Sequence, residues 1–222
     1  MDTRTRLIKK QLALNRKDTL LIKLKHAILF NMTDDTCAEI VEKYTKIATS
    51  KEEILSKSAL KNLFTVMAHG NAYYERVLIK VAAINQLYNA NLFYVSAMAE
   101  QIVKCPNLDN RLRAGDEGVV KDIALLCVNG KEYYCYSFAT KYCHFENPSK
   151  YPIFDSYVEK AIIDFSKKGY ICKYSKQSLR TYSVFKKAVA EISHTFKIYT
   201  DTYDELDSFM WHYGKTNFPN KY

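Results

Sequence analysis

An all-α fold is what this sequence predicts, and three observations predict it. Apolar residues recur at three- and four-residue spacing in one segment after another. No stretch sustains the alternation of a half-buried strand. Only 6 Gly and 4 Pro occur in 222 residues, too few for a turn-rich sandwich or barrel. With 48% hydrophobic side chains the chain has mass enough for one globular core, and 26% charged with 14% aromatic residues excludes a disordered chain. No apolar run approaches the roughly 18 residues of a membrane span. Residues 1–17 are charged throughout and lack the apolar centre of a signal peptide. A soluble cytoplasmic protein is expected, nucleoid-associated if bacterial, with no membrane partner.

Taken in order, Thr36 opens a helix through Ile40, Val41 and Tyr44. Ser50-Lys51-Glu52-Glu53 reads as a capping box ahead of Ile54, Leu55, Leu60 and Leu63. After the Gly70-Asn71 break, a long helix carries Val77, Leu78, Val81, Ile84 and Leu87. The next runs from about Phe93 to Val103 and stops before Cys105-Pro106, because a residue before Pro avoids the α region. Asp116 is expected to cap a helix through Val119, Ile123 and Leu125, and Asn129-Gly130 to turn the chain into a helix from Glu132 to about Phe145. Asn147-Pro148 ends that helix, and Asp155-Ser156 opens another that Gly169 terminates. The last two helices are placed at about 178–196 and 201–213, the second stopped by Gly214. A boundary near His69-Gly70 would separate a basic helical segment, 1–69, from residues 70–222, unless the two form one continuous domain.

Charge gives the first functional indication. Lys and Arg number 33 against 24 Asp and Glu, a formal net charge of +9. Within residues 1–26, eight Lys or Arg face only Asp2 and Asp18; within 141–187, ten face Glu146, Asp155, Glu159 and Asp164. Such an excess favours a polyanionic partner, usually nucleic acid. Of the six cysteines, none stands in a CxxC or a zinc-finger spacing, and no tight quartet could hold an iron–sulfur cluster, so neither metal nor other cofactor is expected.

Two features in the middle of the chain belong together. Asp122 to Lys131 reads as an apolar helix end, a tight polar turn and a Lys opening the next helix, that is, a helical hairpin whose free N–H groups can hold a phosphate. Downstream, Tyr151-Pro152-Ile153-Phe154-Asp155-Ser156-Tyr157-Val158 sets a carboxylate at a helix N-terminus. Here the chain resembles the helix-hairpin-helix superfamily of DNA glycosylases. Val128-Asn129-Gly130-Lys131 stands where that superfamily has its turn and Lys, and Pro152 to Val158 where it has its catalytic Asp segment. Phe138-Ala139-Thr140-Lys141 looks most like the archaeal 8-oxoguanine branch. Cys127 and Asn129 replace usual glycines, and the Pro-to-Asp spacing is one residue longer than in most members.

The resemblance implies a monomeric enzyme that flips a damaged or modified base out of duplex DNA and cleaves its N-glycosidic bond. Asp155 would stabilise the oxocarbenium-like transition state, and a Lys amine, Lys131 first and Lys141 second, would attack C1′. Tyr134, Tyr136, His144, Tyr157 and Trp211 would line the base pocket. Gln86, Asn89 and Asn91 would enter the duplex, with Asn129 and Gly130 on the backbone. The same residues have plainer readings: Asp155 as an ordinary N-cap, Lys131 as a solvated turn residue, the tyrosines as packing. Two other classes of function therefore stand beside the enzyme: a non-catalytic helical nucleic-acid-binding module, and a helical protein whose basic face binds acidic protein.

Overall fold

The computed structural model describes residues 36–47 and 49–219; the basic run over residues 1–26 lies outside the described residues. Residues 44–222 form one compact unit and residues 1–43 another, of which only the start of a helix, α1 (36–45), is described. The larger unit continues with α2 (Lys51–Asn62), which runs into a π-helical turn over Leu63–Met67, α3 (Tyr74–Leu87), α4 (Val95–Lys104), α5 (Leu108–Ala114) and α6 (Gly118–Ala124). Strands β1 (Leu125–Val128) and β2 (Lys131–Tyr134) follow, then α7 (Tyr136–Glu146), α8 (Ser156–Lys168), a 3₁₀ turn at Ser178–Arg180, α9 (Tyr182–Thr195) and α10 (Asp204–Asn217). The described chain is therefore mostly helical. No helix in it is long and apolar enough to cross a membrane.

Local chemistry sets the ends of these helices. Ser50 Oγ accepts from the Glu53 N–H at 3.1 Å while the Glu53 carboxylate accepts from the Ser50 N–H at 3.0 Å, the reciprocal pair that opens α2. α4 stops at Cys105, extended ahead of Pro106. α8 ends on Gly169, whose φ of +80° lets its N–H reach back to the carbonyls of Phe165 and Ser166. Across the expected boundary at 69–70, buried Phe64 packs edge-on to Tyr142 at 5.3 Å, so the core is continuous there.

Four expectations are corrected. Residues 125–134 form a two-stranded antiparallel hairpin, not the turn of a helical one: Val128 pairs with Lys131 and Leu125 with Tyr134. Asn129 (φ +52°) and Gly130 (φ +75°) are both left-handed, as a type I′ turn requires, and Asn-Gly is the strongest short signal for it. Lys131 thus begins a strand, and α7 starts at Tyr136 rather than Glu132. The 105–118 stretch contains a further short helix, α5, between two left-handed residues, Asn107 and Gly115. Extended Thr181 divides the helix expected over 178–196.

The fourth correction concerns Gly214, which lies inside α10 rather than ending it. A Cβ there would sit 2.1 Å from the Tyr157 carbonyl oxygen, so the first turn of α8 lies directly on this glycine. Farther along, Phe165 of α8 meets Tyr213 of α10 at 4.3 Å. Gly214→Ala must push two backbones apart and is expected to destabilise the fold by about 3 kcal/mol, at the upper end of overpacking penalties. Urea denaturation monitored by circular dichroism reads this directly; an unchanged midpoint would mean that the helices part without cost.

Candidate active site

Asp155 stands just outside α8 with extended backbone, and its Oδ1 accepts from the N–H groups of Tyr157 and Val158, both at 2.8 Å. The expected N-cap is thus present. Burial nevertheless pushes the Asp155 carboxyl above its usual range, against the pull of those two N–H groups and of Lys141. Lys141 projects from α7 and is 5% exposed. Its Nζ donates to the Tyr88 carbonyl oxygen at 3.4 Å and lies 5.7 Å from the centre of the Tyr88 ring. Burial lowers the affinity of this amine for its proton, and the negative charge of Asp155 partly restores it. Among the described residues, no carboxylate comes within ion-pair distance of the Lys141 amine. A buried amine without a salt bridge is what nucleophilic chemistry requires.

Both groups face one cavity of about 450 Å³. Its walls come from five places in the chain: Ser50, Glu53 and Lys57 at the start of α2, Tyr88 and Asn89 at the end of α3, Lys141, then Asp155 and Val158, and Asp207, Trp211, His212 and Lys215 on α10. The Trp211 indole stands edge-on to Tyr157 at 5.9 Å, with Lys215 Nζ 4.2 Å from an indole ring centroid. Tyr157, expected in the base pocket, thus packs against the indole but is not itself part of the cavity wall. A second hollow, about 400 Å³, lies between α4 and β1 and contains Cys105, whose thiol burial pushes up, the opposite of activation.

The remaining predicted residues lie elsewhere or act structurally. Lys131 lies 5.3 Å from the Tyr133 ring centroid, on the exposed hairpin and outside the cavity, with Asn129 and Gly130 beside it. Tyr136 is core: 1% exposed, it donates to the Leu179 carbonyl and stacks on Tyr134, whose hydroxyl donates to that of Arg180. His144 is equally buried, its Nδ1 donating to the Tyr151 carbonyl at 2.8 Å and its Nε2 3.4 Å from Asp204. None of these three lines the cavity: Tyr134 stands half-exposed on β2, and Tyr136 and His144 are among the nine buried residues of α7. Against expectation Gln86 lies inside the last turn of α3; Asn89 and Asn91 follow it as left-handed turn residues, and of the three only Asn89 reaches the cavity.

Sequence reasoning missed Asp207. It is 8% exposed, accepts from the Ile153 N–H with both oxygens at 3.2 Å, and lies 3.7 Å from His144. Burial pushes its carboxyl up to about 7, with Asp155 adding to the effect and His144 and Lys57 opposing it. Between its ordinary 3.8 and about 7 the native protein retains a proton that the unfolded chain has released. Stability from this group is therefore complete below 3.8 and lost as pH rises toward 7. Asp207→Asn is expected to flatten that part of the stability profile; urea midpoints measured from pH 4 to 8 that fall equally steeply in both proteins would assign the slope elsewhere.

Comparison with known proteins places the chain. A family model, HI_0787_N, described as an N-terminal domain, matches residues 37–150. A Haemophilus influenzae protein is 35% identical over 149 residues, which is 67% of this chain and 71% of the relative. The chain belongs to the HI_0787_N family. No solved structure matches it. Lys141 falls within the HI_0787_N match, whereas Asp155, Asp207 and Trp211 come from the segment that follows, so the cavity joins both parts of the chain.

Proposed function

We propose that this protein is a DNA glycosylase that accepts an extruded base in the Lys141–Asp155 cavity and cleaves its N-glycosidic bond. The observation that carries the reading is one buried amine and one partly buried carboxylate facing a single hollow, the amine held by the Tyr88 carbonyl and in no ion pair among the described residues. A volume of about 450 Å³ lies within the roughly 300–1,000 Å³ of small-ligand sites. Trp211 supplies an aromatic face for a base, and Asp207 with Ser208 supplies polar groups for its edge. The resemblance of Pro152–Val158 to the catalytic segment of helix-hairpin-helix glycosylases, and the formal charge of +9, support the same reading.

In this scheme Lys141, as free amine, attacks C1′ of the deoxyribose. The base leaves with the electron pair of the glycosidic bond and takes one proton of the amine; the C1′–O4′ bond then breaks, the second amine proton passes to O4′, and a Schiff base remains on Lys141. Asp155 stabilises the positive charge that builds on the sugar. Lys131 has no part in it. The test is mass spectrometry of bases released from a panel of duplexes carrying oxidised, alkylated or deaminated bases. Release of one class at a rate proportional to enzyme supports the proposal; release of none, with tight binding to the same duplexes, leaves the non-catalytic binding module.

A further inference from the structure

Next to the cavity, on the turn between α3 and α4, an aromatic surface has been left open. Phe93 is 89% exposed, more than any other large apolar side chain among the described residues. It is not on a slack loop. Asn89 and Asn91 set the turn with left-handed backbones, the Asn85 side chain clasps Leu92 by its N–H at 2.8 Å and its carbonyl at 3.0 Å, and Leu92 itself is buried. The turn therefore holds Phe93 outward. Tyr94 carries the surface onto the β-hairpin: its ring lies 5.0 Å from that of Tyr133, the two hydroxyls are hydrogen-bonded at 3.1 Å, and Lys131 lies 5.3 Å from the Tyr133 ring on the far side.

Exposed rings joined to a cation on a stiff edge are the components of a single-strand stacking platform, in which base faces lie on aromatic rings and a phosphate meets the cation. We infer that Phe93, the Tyr94–Tyr133 pair and Lys131 form a second nucleic-acid contact, one that takes unpaired nucleotides flanking the one held in the cavity. The inference rests on the glycosylase reading for the identity of that neighbour, since Leu87, Tyr88 and Asn89 of the same turn line the cavity. Lys131 at the edge of the rings gives a phosphate its counter-charge, which an apolar protein partner would leave unused.

The test is fluorescence-anisotropy binding of a 12-nucleotide single strand to the full chain at several salt concentrations. Phe93→Ala is expected to weaken binding about fivefold or more, the effect of losing one stacked base. Lys131→Gln is expected to reduce the salt slope by about one. Tyr199→Ala, which removes a 67% exposed ring from the loop before α10, should change neither. Phe93 and Lys131 are both exposed, so circular dichroism should show an unaltered fold in either variant. Binding that Phe93→Ala leaves unchanged, or that Tyr199→Ala weakens equally, overturns the inference and leaves the surface to a protein partner. Loss of binding in Phe93→Ala by a chain that releases no base from any duplex keeps the platform and removes the glycosylase; base release with binding indifferent to Phe93 does the reverse.

Discussion

Asp155→Asn is expected to release base at least about 100-fold more slowly than the natural protein while binding the same duplex equally well. The size follows from removing a preorganised charge at a site where charge develops in the transition state, which costs about 10²–10³ in rate for groups of this kind. The substitution is chosen because Asp155 does two things. As an N-cap it accepts from Tyr157 and Val158, and Asn caps a helix about as well as Asp. Only the charge facing the cavity is lost. Asp155→Ala removes both functions and should in addition lower stability by about 1 kcal/mol. Base release is followed by chromatography, binding by mobility shift. Equal turnover in natural protein and Asp155→Asn would reduce Asp155 to a cap and end its part in the mechanism.

The second large effect is expected at Lys141. Borohydride reduction during reaction should fix the protein covalently to DNA, and Lys141→Gln should abolish that adduct while Lys131→Gln still forms it at saturating DNA. The physical difference is burial. Lys141 is 5% exposed and its amine is held below the usual lysine range, so a larger fraction is neutral near physiological pH. Adduct formation should accordingly rise with pH and level off below the ordinary lysine value of 10.5. The same burial weakens the fold: where the unfolded chain binds the proton more readily, acidification favours unfolding, and stability rises with pH through that window. Lys141→Met should therefore fold at least as stably as the natural protein and trap nothing. An adduct that survives Lys141→Gln and disappears in Lys131→Gln would move the chemistry to the hairpin.

Much of the frame was legible because its signals are local. The Ser50–Glu53 capping box, the stop before Pro106, the Asp155 cap and the Gly169 terminus each depend on residues within one turn of each other, and each stands where the pattern places it. Strands of four residues carry too little alternation to register, so Asn129-Gly130 read as a link between helices although that dipeptide favours a hairpin. The placement of Lys131 at a helix start follows from that one misreading. The cavity itself had no local signature. Its walls are separated by as many as 166 positions, from Thr49 to Lys215, and nothing near Asp207 in sequence marks it as sharing a cavity with Asp155. Tyr136 and His144 show the converse: residue types suited to a base pocket, placed in the core by a helix buried on nearly all sides.

The contact at Gly214 acts as a spacer gauge. It fixes how near the helix bearing Trp211 comes to the turn bearing Asp155, two of the walls of the cavity. A bulkier residue at this position would move those walls apart, so one small side chain outside the lining sets how far the two helices stand from each other.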